Sequence, residues 1–133
     1  MRQTEFRGWC DRDDEWRYGY YVTDGKVHEI MTHIEDCGMY ASQVDIESIG
    51  QFTAVLDKDG TKIFEGDKVE SYHFTDTKGK HHFINHIVTW SDKFNGWFMQ
   101  GEYDTTGEEG SIQLWVYMRT NKHSAKVVGN IHQ

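Results

Sequence analysis

Histidine is the residue type whose number and spacing first suggest chemistry in this sequence. The chain contains eight histidines, and the neutral imidazole ring is a common ligand of zinc. His73, His82 and His86 lie in one stretch, but His82 and His86 would be about 13 Å apart on a strand that rises ~3.3 Å per residue. A zinc site needs three or four ligands that converge on one point. These histidines are therefore weak metal candidates, and we predict no cofactor.

The acidic residues around Gly60 invite comparison with a calcium-binding loop. If Gly60 were the sixth residue of an EF-hand loop, Val55 would stand at the first aspartate position and Gly66 at that of the bidentate glutamate. Asp67 has no nucleophile or base at a defined spacing, and no G-x-S-x-G motif is present. We therefore predict that the protein is not an enzyme, with a metal-dependent enzyme as the less favoured alternative.

These acidic and glycine residues are instead typical of turns between β-strands. Residues 51–56 and 61–64 are rich in β-branched and aromatic side chains, and the polar stretch between them predicts a hairpin. A second turn follows, since glycine tolerates positive φ and aspartate can accept a hydrogen bond from a nearby backbone N–H. The residues assigned to structural turns are Asp57, Asp59, Gly60, Gly66 and Asp67.

The central run, residues 50–69, also resembles a family signature. Its segments GQFT, DKDG and IFEGDKV are similar to those of the YopX family of small phage and prophage proteins. FRGW at 6–9 and VGNI at 128–131 resemble the opening and closing parts of that family, so the resemblance covers almost the whole chain. Ala54 departs from the pattern, because the family usually has glycine there. The resemblance implies a phage or prophage origin and supports a homo-oligomer.

An N-terminal hairpin is predicted by alternation. Residues 16–23 alternate, with aromatic side chains on both faces, and the pattern resumes after Asp24 and Gly25. If these two residues form the turn, Tyr21 faces His28 across the hairpin. Aromatic residues on both faces indicate that the hairpin packs on two sides or that one side meets another subunit.

The remaining alternating segments complete an all-β prediction. They indicate roughly seven to nine strands in coiled or bent antiparallel sheets, partly closed as an SH3-like barrel. We predict one domain over residues 1–133, in which an N-terminal strand and hairpin (1–36) pack on a barrel-like part (50–133). The further predicted strands are 43–48, 69–74, 82–90, 96–100, 112–118 and 127–131.

The charge of the chain favours a basic protein over a nucleic acid as its partner. The net charge of −8 opposes binding to nucleic-acid phosphates. Residues 1–49 carry five basic and eleven acidic side chains, a net of −6, so we predict that this part engages a basic host or phage protein. A nucleic-acid-associated β-barrel module is the alternative. The candidate interaction residues are Asp13, Asp14, Glu15, Tyr21, Trp115 and Tyr117.

Cysteine content and hydropathy indicate the cellular environment in which we expect the protein. Cys10 and Cys37 are the two cysteines, their spacing fits no metal motif, and we predict reduced, buried thiols. No segment approaches the ~20 apolar residues of a membrane span, and the first residues do not resemble a signal peptide. We expect a protein of the host cytoplasm that acts by protein–protein interaction or self-assembly and does not associate with membranes.

Overall fold

The computed structural model describes residues 4–93, 95–101, 112–114, 118 and 125–132. These residues form strands joined by short turns, with one 3₁₀ turn. The elements are β1 (Phe6–Cys10), β2 (Glu15–Thr23), β3 (His28–Ile34), β4 (Gly38–Gln43), the 3₁₀ turn (Ile46–Ser48), β5 (Gly50–Leu56), β6 (Lys62–Phe64), β7 (Asp67–Thr75), β8 (His81–Ser91), β9 (Gly96–Gly101), β10 (Ile112–Gln113) and β11 (Lys126–Asn130).

The strands form two antiparallel sheets, which confirms the all-β prediction. A six-stranded sheet has the order β4-β3-β2-β1-β5-β6, and a five-stranded sheet has the order β10-β9-β8-β7-β11. The predicted partial barrel is wrong for the described residues, since β5 and β6 belong to the first sheet while β10 and β11 lie at opposite edges of the second.

The chain divides into two compact units, Met1–Ala54 and Val55–Gln133, and the boundary falls within β5. The N-terminal unit has a core of Cys10, Ile30 and Val44. The second unit has its own core, whose buried members are Ile63, Val69, Val88, Met99, Leu114, Met118 and Ala125. A single domain over 1–133, with the hairpin packed on a central part, stays a prediction.

The N-terminal hairpin forms, but its predicted register is wrong by two residues. Val22 lies opposite Glu29 and Tyr21 opposite Ile30, so the loop has four residues, 24–27. The Asp24 carboxylate explains the longer loop, because its Oδ1 accepts hydrogen bonds from the backbone N–H groups of Lys26 (2.8 Å) and Val27 (2.9 Å). An Asx turn therefore replaces the two-residue turn.

Strand β2 changes its pairing partner at Gly19. Residues before it pair with β1 and residues after it pair with β3. A Cβ atom at Gly19 would lie 2.0 Å from the carbonyl oxygen of Met31. Only glycine allows this close backbone approach.

The central hairpin follows the prediction, and its turn is fixed by Asp57. The side chain is 8% exposed. Its Oδ1 accepts hydrogen bonds from Asp59 N and Thr61 N, both 2.9 Å, and its Oδ2 accepts from Val127 N at 2.9 Å. Asp57 therefore joins the hairpin turn to β11, seventy residues later in the chain.

The second predicted turn also forms. Gly60 and Gly66 have φ of +81° and +90°, as expected for glycine in turns. Asp67 is 1% exposed and its Oδ2 accepts a hydrogen bond from Phe64 N at 2.8 Å. Gly60 and Gly66 therefore have a backbone conformation that favours glycine, and the Asp67 carboxylate bonds the chain across the second turn.

Two strand predictions need correction. The strand β4 ends at Gln43, where we predicted a strand to begin, because Asp45 caps the 3₁₀ turn by accepting a hydrogen bond from Glu47 N. The strand predicted at 112–118 covers only Ile112–Gln113, and Leu114 and Met118 have helical backbone conformation. Alternation of apolar residues did not distinguish strand from helical conformation in these two segments, since both carry apolar residues at helical and strand spacings.

Candidate functional site

The acidic segment of the sequence is the turn between β1 and β2. Asp13 and Glu15 both form salt bridges with Arg17, the first at 2.6 Å. Asp14 has a positive φ of 54°, a conformation that aspartate tolerates better than most residues. Asp11 and Asp14 are exposed and make no hydrogen bond or ion pair with other residues in the described part of the chain. Of the three predicted acidic residues, two are thus already paired within the protein.

A cleft of about 380 Å³ lies beside this turn, within the N-terminal unit. One wall is formed by the end of β1 and the turn, residues 10–13, and the other by residues 40–45. Asp11, Asp13 and Asp45 place three carboxylates in its lining, against the single guanidinium of Arg12. We call this feature the acidic cleft.

Backbone contacts hold the second wall of the acidic cleft in place. Val44 N donates to His28 O and Asp45 N donates to Trp9 O, both at 2.9 Å. Arg17 links the two walls, because its Nε donates to Ser42 Oγ at 3.1 Å while its other nitrogens donate to Asp13 and Glu15. The walls of the acidic cleft are therefore preformed.

The residues that line the acidic cleft indicate which kind of ligand it can bind. Carboxylates with a phenol ring nearby, that of Tyr40, suit a lysine or arginine side chain, which forms charge-assisted hydrogen bonds and packs its methylene stem on apolar surface. The same charges repel phosphates. Among the described residues, no group of three or more His, Cys, Asp or Glu is arranged to hold a metal ion.

The aromatic interaction candidates do not join this site. Tyr21 is half-buried, packs on the core of the N-terminal unit, and its hydroxyl lies 2.6 Å from His28 Nδ1. Trp115 and Tyr117 lie outside the described residues. The structure instead exposes other apolar side chains on the outer face of β2 and β4, namely Tyr18, Tyr20, Val22 and Met39.

Of the three metal candidates, His82 and His86 belong to no group of three or more His, Cys, Asp or Glu among the described residues that could hold a metal ion. His82 stacks on Phe74, with ring centroids 4.5 Å apart, and its Nε2 lies 2.9 Å from Asp76 Oδ2. His86 is half-buried opposite Val69, further along β8. His73 falls at a shift in the pairing of β7 with β8, and its side chain lies outside the described part.

A second feature was not anticipated from the sequence. Residues 67–70 of β7 pair with β11 and residues 86–91 of β8 pair with β9. Residues 71–75 and 81–84 pair only with each other among the described residues, and Asn85 pairs with Glu70. We call residues 71–85, a two-stranded ribbon, the arm.

The arm exposes large aromatic side chains. Tyr72 is 45% exposed, Phe74 46% and Phe83 55%. The Tyr72 and Phe83 rings contact each other edge to face, with centroids 6.4 Å apart. The sequence signal was present, since aromatic residues alternate through the two predicted strands that form the arm.

Asp76 orders the turn of the arm. Its Oδ1 accepts hydrogen bonds from Lys78 N (2.9 Å) and Lys80 N (3.0 Å). The hydrogen bond from His82, followed by those from the Lys80 and Lys78 backbones, lowers the pKa of the Asp76 carboxyl below its ordinary value of 3.8. The ionised carboxylate therefore maintains the turn.

Hydropathy and cysteine exposure add two observations. No helix among the described residues has the length and apolar character needed to cross a bilayer. Cys10 is buried, as predicted, whereas Cys37 is exposed because it lies in the β3–β4 turn, and both are free thiols.

The fold and the acidic cleft define an all-β protein with two open antiparallel sheets and an acid-lined surface site. A family model described as YopX protein matches residues 5–133, so the chain belongs to the YopX family. No curated protein matches the chain.

One solved structure supports the fold. The chain is similar to the crystal structure of protein EF1440 from Enterococcus faecalis, with a TM-score of 0.52 and 17% sequence identity. The likeness covers 99% of this chain and 95% of that chain. At this identity it supports the shared architecture alone.

Proposed function

We propose that the protein is a non-enzymatic binding protein whose acidic cleft takes a basic segment of a protein partner. The observation that carries this proposal is the convergence of Asp11, Asp13 and Asp45 in one preformed cleft. The family resemblance supports a phage or prophage setting in the cytoplasm of the host cell.

Electrostatic attraction supports a basic partner both at long range, before contact, and in the contact itself. Residues 1–54 carry a net charge of −6, which steers a positively charged segment toward the N-terminal unit. At contact, each hydrogen bond to a charged group contributes about 1.5–3 kcal/mol when well formed. Asp11 is the carboxylate best placed to contribute, because Asp13 is already paired with Arg17 and Asp45 caps the 3₁₀ turn.

Size is consistent with this ligand class. The volume of about 380 Å³ is within the ~300–1,000 Å³ range of small-ligand clefts. It is large enough for one long basic side chain with part of its backbone. Specificity for a protein segment would then come from exposed aromatic surface in the cleft lining, such as that of Tyr40, which is 46% exposed.

The test is a calorimetric titration of a lysine-rich decapeptide into the purified protein. We expect Asp11→Lys to weaken binding by about tenfold or more, since loss of a contact worth ~1.4 kcal/mol has this effect. Glu35→Lys is the matched control, because Glu35 is exposed, outside the cleft lining, and gives the same change in net charge.

Two results would overturn the proposal. The first is the same affinity for both variants, which would mean that the peptide responds only to net charge. The second is no binding by the unchanged protein at low salt, where electrostatic attraction is least screened.

A further inference from the structure

We propose that the basic segment of the partner binds as an extended strand along the outer edge of β4, with basic side chains alternating with apolar ones. This inference rests on the proposed function, because it uses the same cleft. It goes further by naming the backbone conformation and the side-chain pattern of the segment that the acidic cleft takes.

The acidic cleft follows the edge of a sheet. Strand β4 is the last strand of the six-stranded sheet, beside β3. Each of residues 40–43 lines the cleft, and successive side chains of a strand point to opposite faces. A cleft lined by all four residues therefore runs along the edge of the strand. Strand β3 contributes none of the described lining residues, so this is the edge that faces away from β3.

The pairing of β4 with β3 shows which backbone groups point toward the outer edge. Val44 N donates to His28 O at 2.9 Å, and the same register places Ser42 opposite Ile30. Hydrogen-bonded and non-hydrogen-bonded pairs alternate in an antiparallel ladder, so the even-numbered residues of β4 bond to β3. The residues whose N–H and C=O groups point outward are Met39, Ala41 and Gln43.

These three outward-pointing residues are accessible. Met39 is 45% exposed, and Ala41 and Gln43 are also exposed. Their backbone groups form no hydrogen bond with turns or loops in the described part of the chain. An exposed strand edge is a template on which an extended peptide adds a further strand, and the backbone hydrogen bonds supply affinity.

One face of β4 carries the charge that selects basic side chains. Ser42 accepts a hydrogen bond from Arg17 Nε at 3.1 Å, and Arg17 also binds Asp13 at 2.6 Å. The carboxylate of Asp13 therefore lies on the Ser42 side of the strand. Tyr40 shares this face, since it lies two residues away. A ligand strand beside β4 would direct every second side chain here, and lysine or arginine fits these positions.

The other face of β4 is apolar. Ala41 lies opposite Met31, and Met31 lies opposite Tyr20, so the three side chains share one face. Tyr20 is 62% exposed, and Met39 on the same face is 45% exposed. Apolar side chains of the ligand strand can pack on this surface, and such burial supplies attraction that salt does not screen.

The first test compares two octapeptides of equal composition and charge by calorimetric titration into the full chain. In one peptide lysine and valine alternate, and in the other four lysines precede four valines. We expect the alternating peptide to bind about tenfold more tightly or better, because only this order places all lysines on one face of a strand. Equal affinities would overturn strand addition, while the decapeptide titration with Asp11→Lys still decides the proposed function separately.

Backbone methylation of the alternating peptide tests the pairing itself. One derivative carries N-methyl groups on its two central valines, and the other carries them on its two central lysines. Alternate N–H groups of a strand point to opposite sides, so only one derivative should lose binding. It is the valine derivative for antiparallel addition and the lysine derivative for parallel addition. Equal losses, or no loss in either derivative, would overturn the inference.

Proline substitutions test the orientation of the β4 backbone. Ala41→Pro removes an outward N–H group, which an edge strand tolerates, so this variant should fold and bind the alternating peptide about tenfold more weakly or worse. Tyr40→Pro is the matched comparison, because it removes an N–H group that bonds to β3 and should lower the thermal midpoint far more. Equal thermal losses, or unchanged binding by Ala41→Pro, would contradict the assignment of the outer edge.

Amide exchange measured residue by residue completes the test. In the free protein the amides of Met39 and Ala41 should exchange quickly, whereas those of Tyr40 and Ser42 should exchange slowly. The alternating peptide should slow the first pair. Slow exchange of Met39 and Ala41 in the free protein would show that the edge is already paired, within the chain or with a second copy, and would overturn the inference.

Discussion

Replacement of Ala54 by glycine should stabilise the protein. Ala54 lies in β5 with a φ of +68°, a left-handed conformation that costs an L-amino acid with a Cβ atom about 1–2 kcal/mol. Glycine is free of this strain. Its greater loss of backbone entropy on folding costs about 0.5–1 kcal/mol relative to alanine. The side chain is exposed, so little buried apolar surface is lost, and the net gain should be about 0.5–1 kcal/mol.

The assay is urea denaturation followed by tryptophan fluorescence. The free energy of unfolding from the midpoint and slope should rise, and the thermal midpoint should rise by about 2–4 °C per kcal/mol. Ala41→Gly is the matched control, because Ala41 is also exposed in a strand but has no positive φ. It should destabilise the protein by about 0.5–1 kcal/mol.

The opposite signs of the two alanine-to-glycine changes are the core of this test. If Ala54→Gly lowers the free energy of unfolding as much as Ala41→Gly does, the left-handed conformation at residue 54 carries no strain and the reasoning is refuted.

Three further outcomes are expected from described contacts. Asp57→Ala should lower the free energy of unfolding by about 3 kcal/mol, since three backbone N–H groups lose their side-chain acceptor. A loss below ~1 kcal/mol would contradict this expectation. Because the pKa of Asp76 is lowered, its stabilisation of the arm is present above pH 3.8 and lost as pH falls below it. The protection of the Lys78 amide, measured relative to its intrinsic exchange rate at each pH, should therefore fall below pH 3.8, and an Asp76→Asn variant should show no such fall. Gly19→Ala should lower the urea midpoint of unfolding far more than Gly25→Ala does. A Cβ atom at Gly19 would lie 2.0 Å from a carbonyl oxygen, whereas one at Gly25 meets nothing within 4 Å. Equal losses of stability would show that the backbone near Gly19 moves to admit the Cβ atom.

The sequence predicted local β-structure well where the turn chemistry was unambiguous. Gly60 and Gly66 have the positive φ expected of them, and Asp57 and Asp67 accept the backbone hydrogen bonds expected of turn residues. It misjudged the loop after Thr23 because the Asp24 side chain competes with the backbone pairing of a two-residue turn. Such competition depends on hydrogen-bond geometry that residue types alone do not specify.

The candidate site was only partly predictable. The acidic turn was identified from charge, but the pairing of Asp13 and Glu15 with Arg17 was not, since these contacts depend on the start of β2. Asp45, over thirty residues away, reaches the same cleft because the chain after β4 hydrogen-bonds to β1. Long-range placement of this kind follows from sheet topology, which local sequence patterns do not determine.

Hydrogen exchange with and without the lysine-rich decapeptide tests the central claim most directly, because it locates binding on the chain. The proposal expects slower exchange at residues 10–13 and 40–45, the two walls of the acidic cleft, with the protection lost in Asp11→Lys and kept in Glu35→Lys. Protection elsewhere, or none at a peptide concentration that saturates the calorimetric titration, would contradict the claim that the acidic cleft binds basic protein segments.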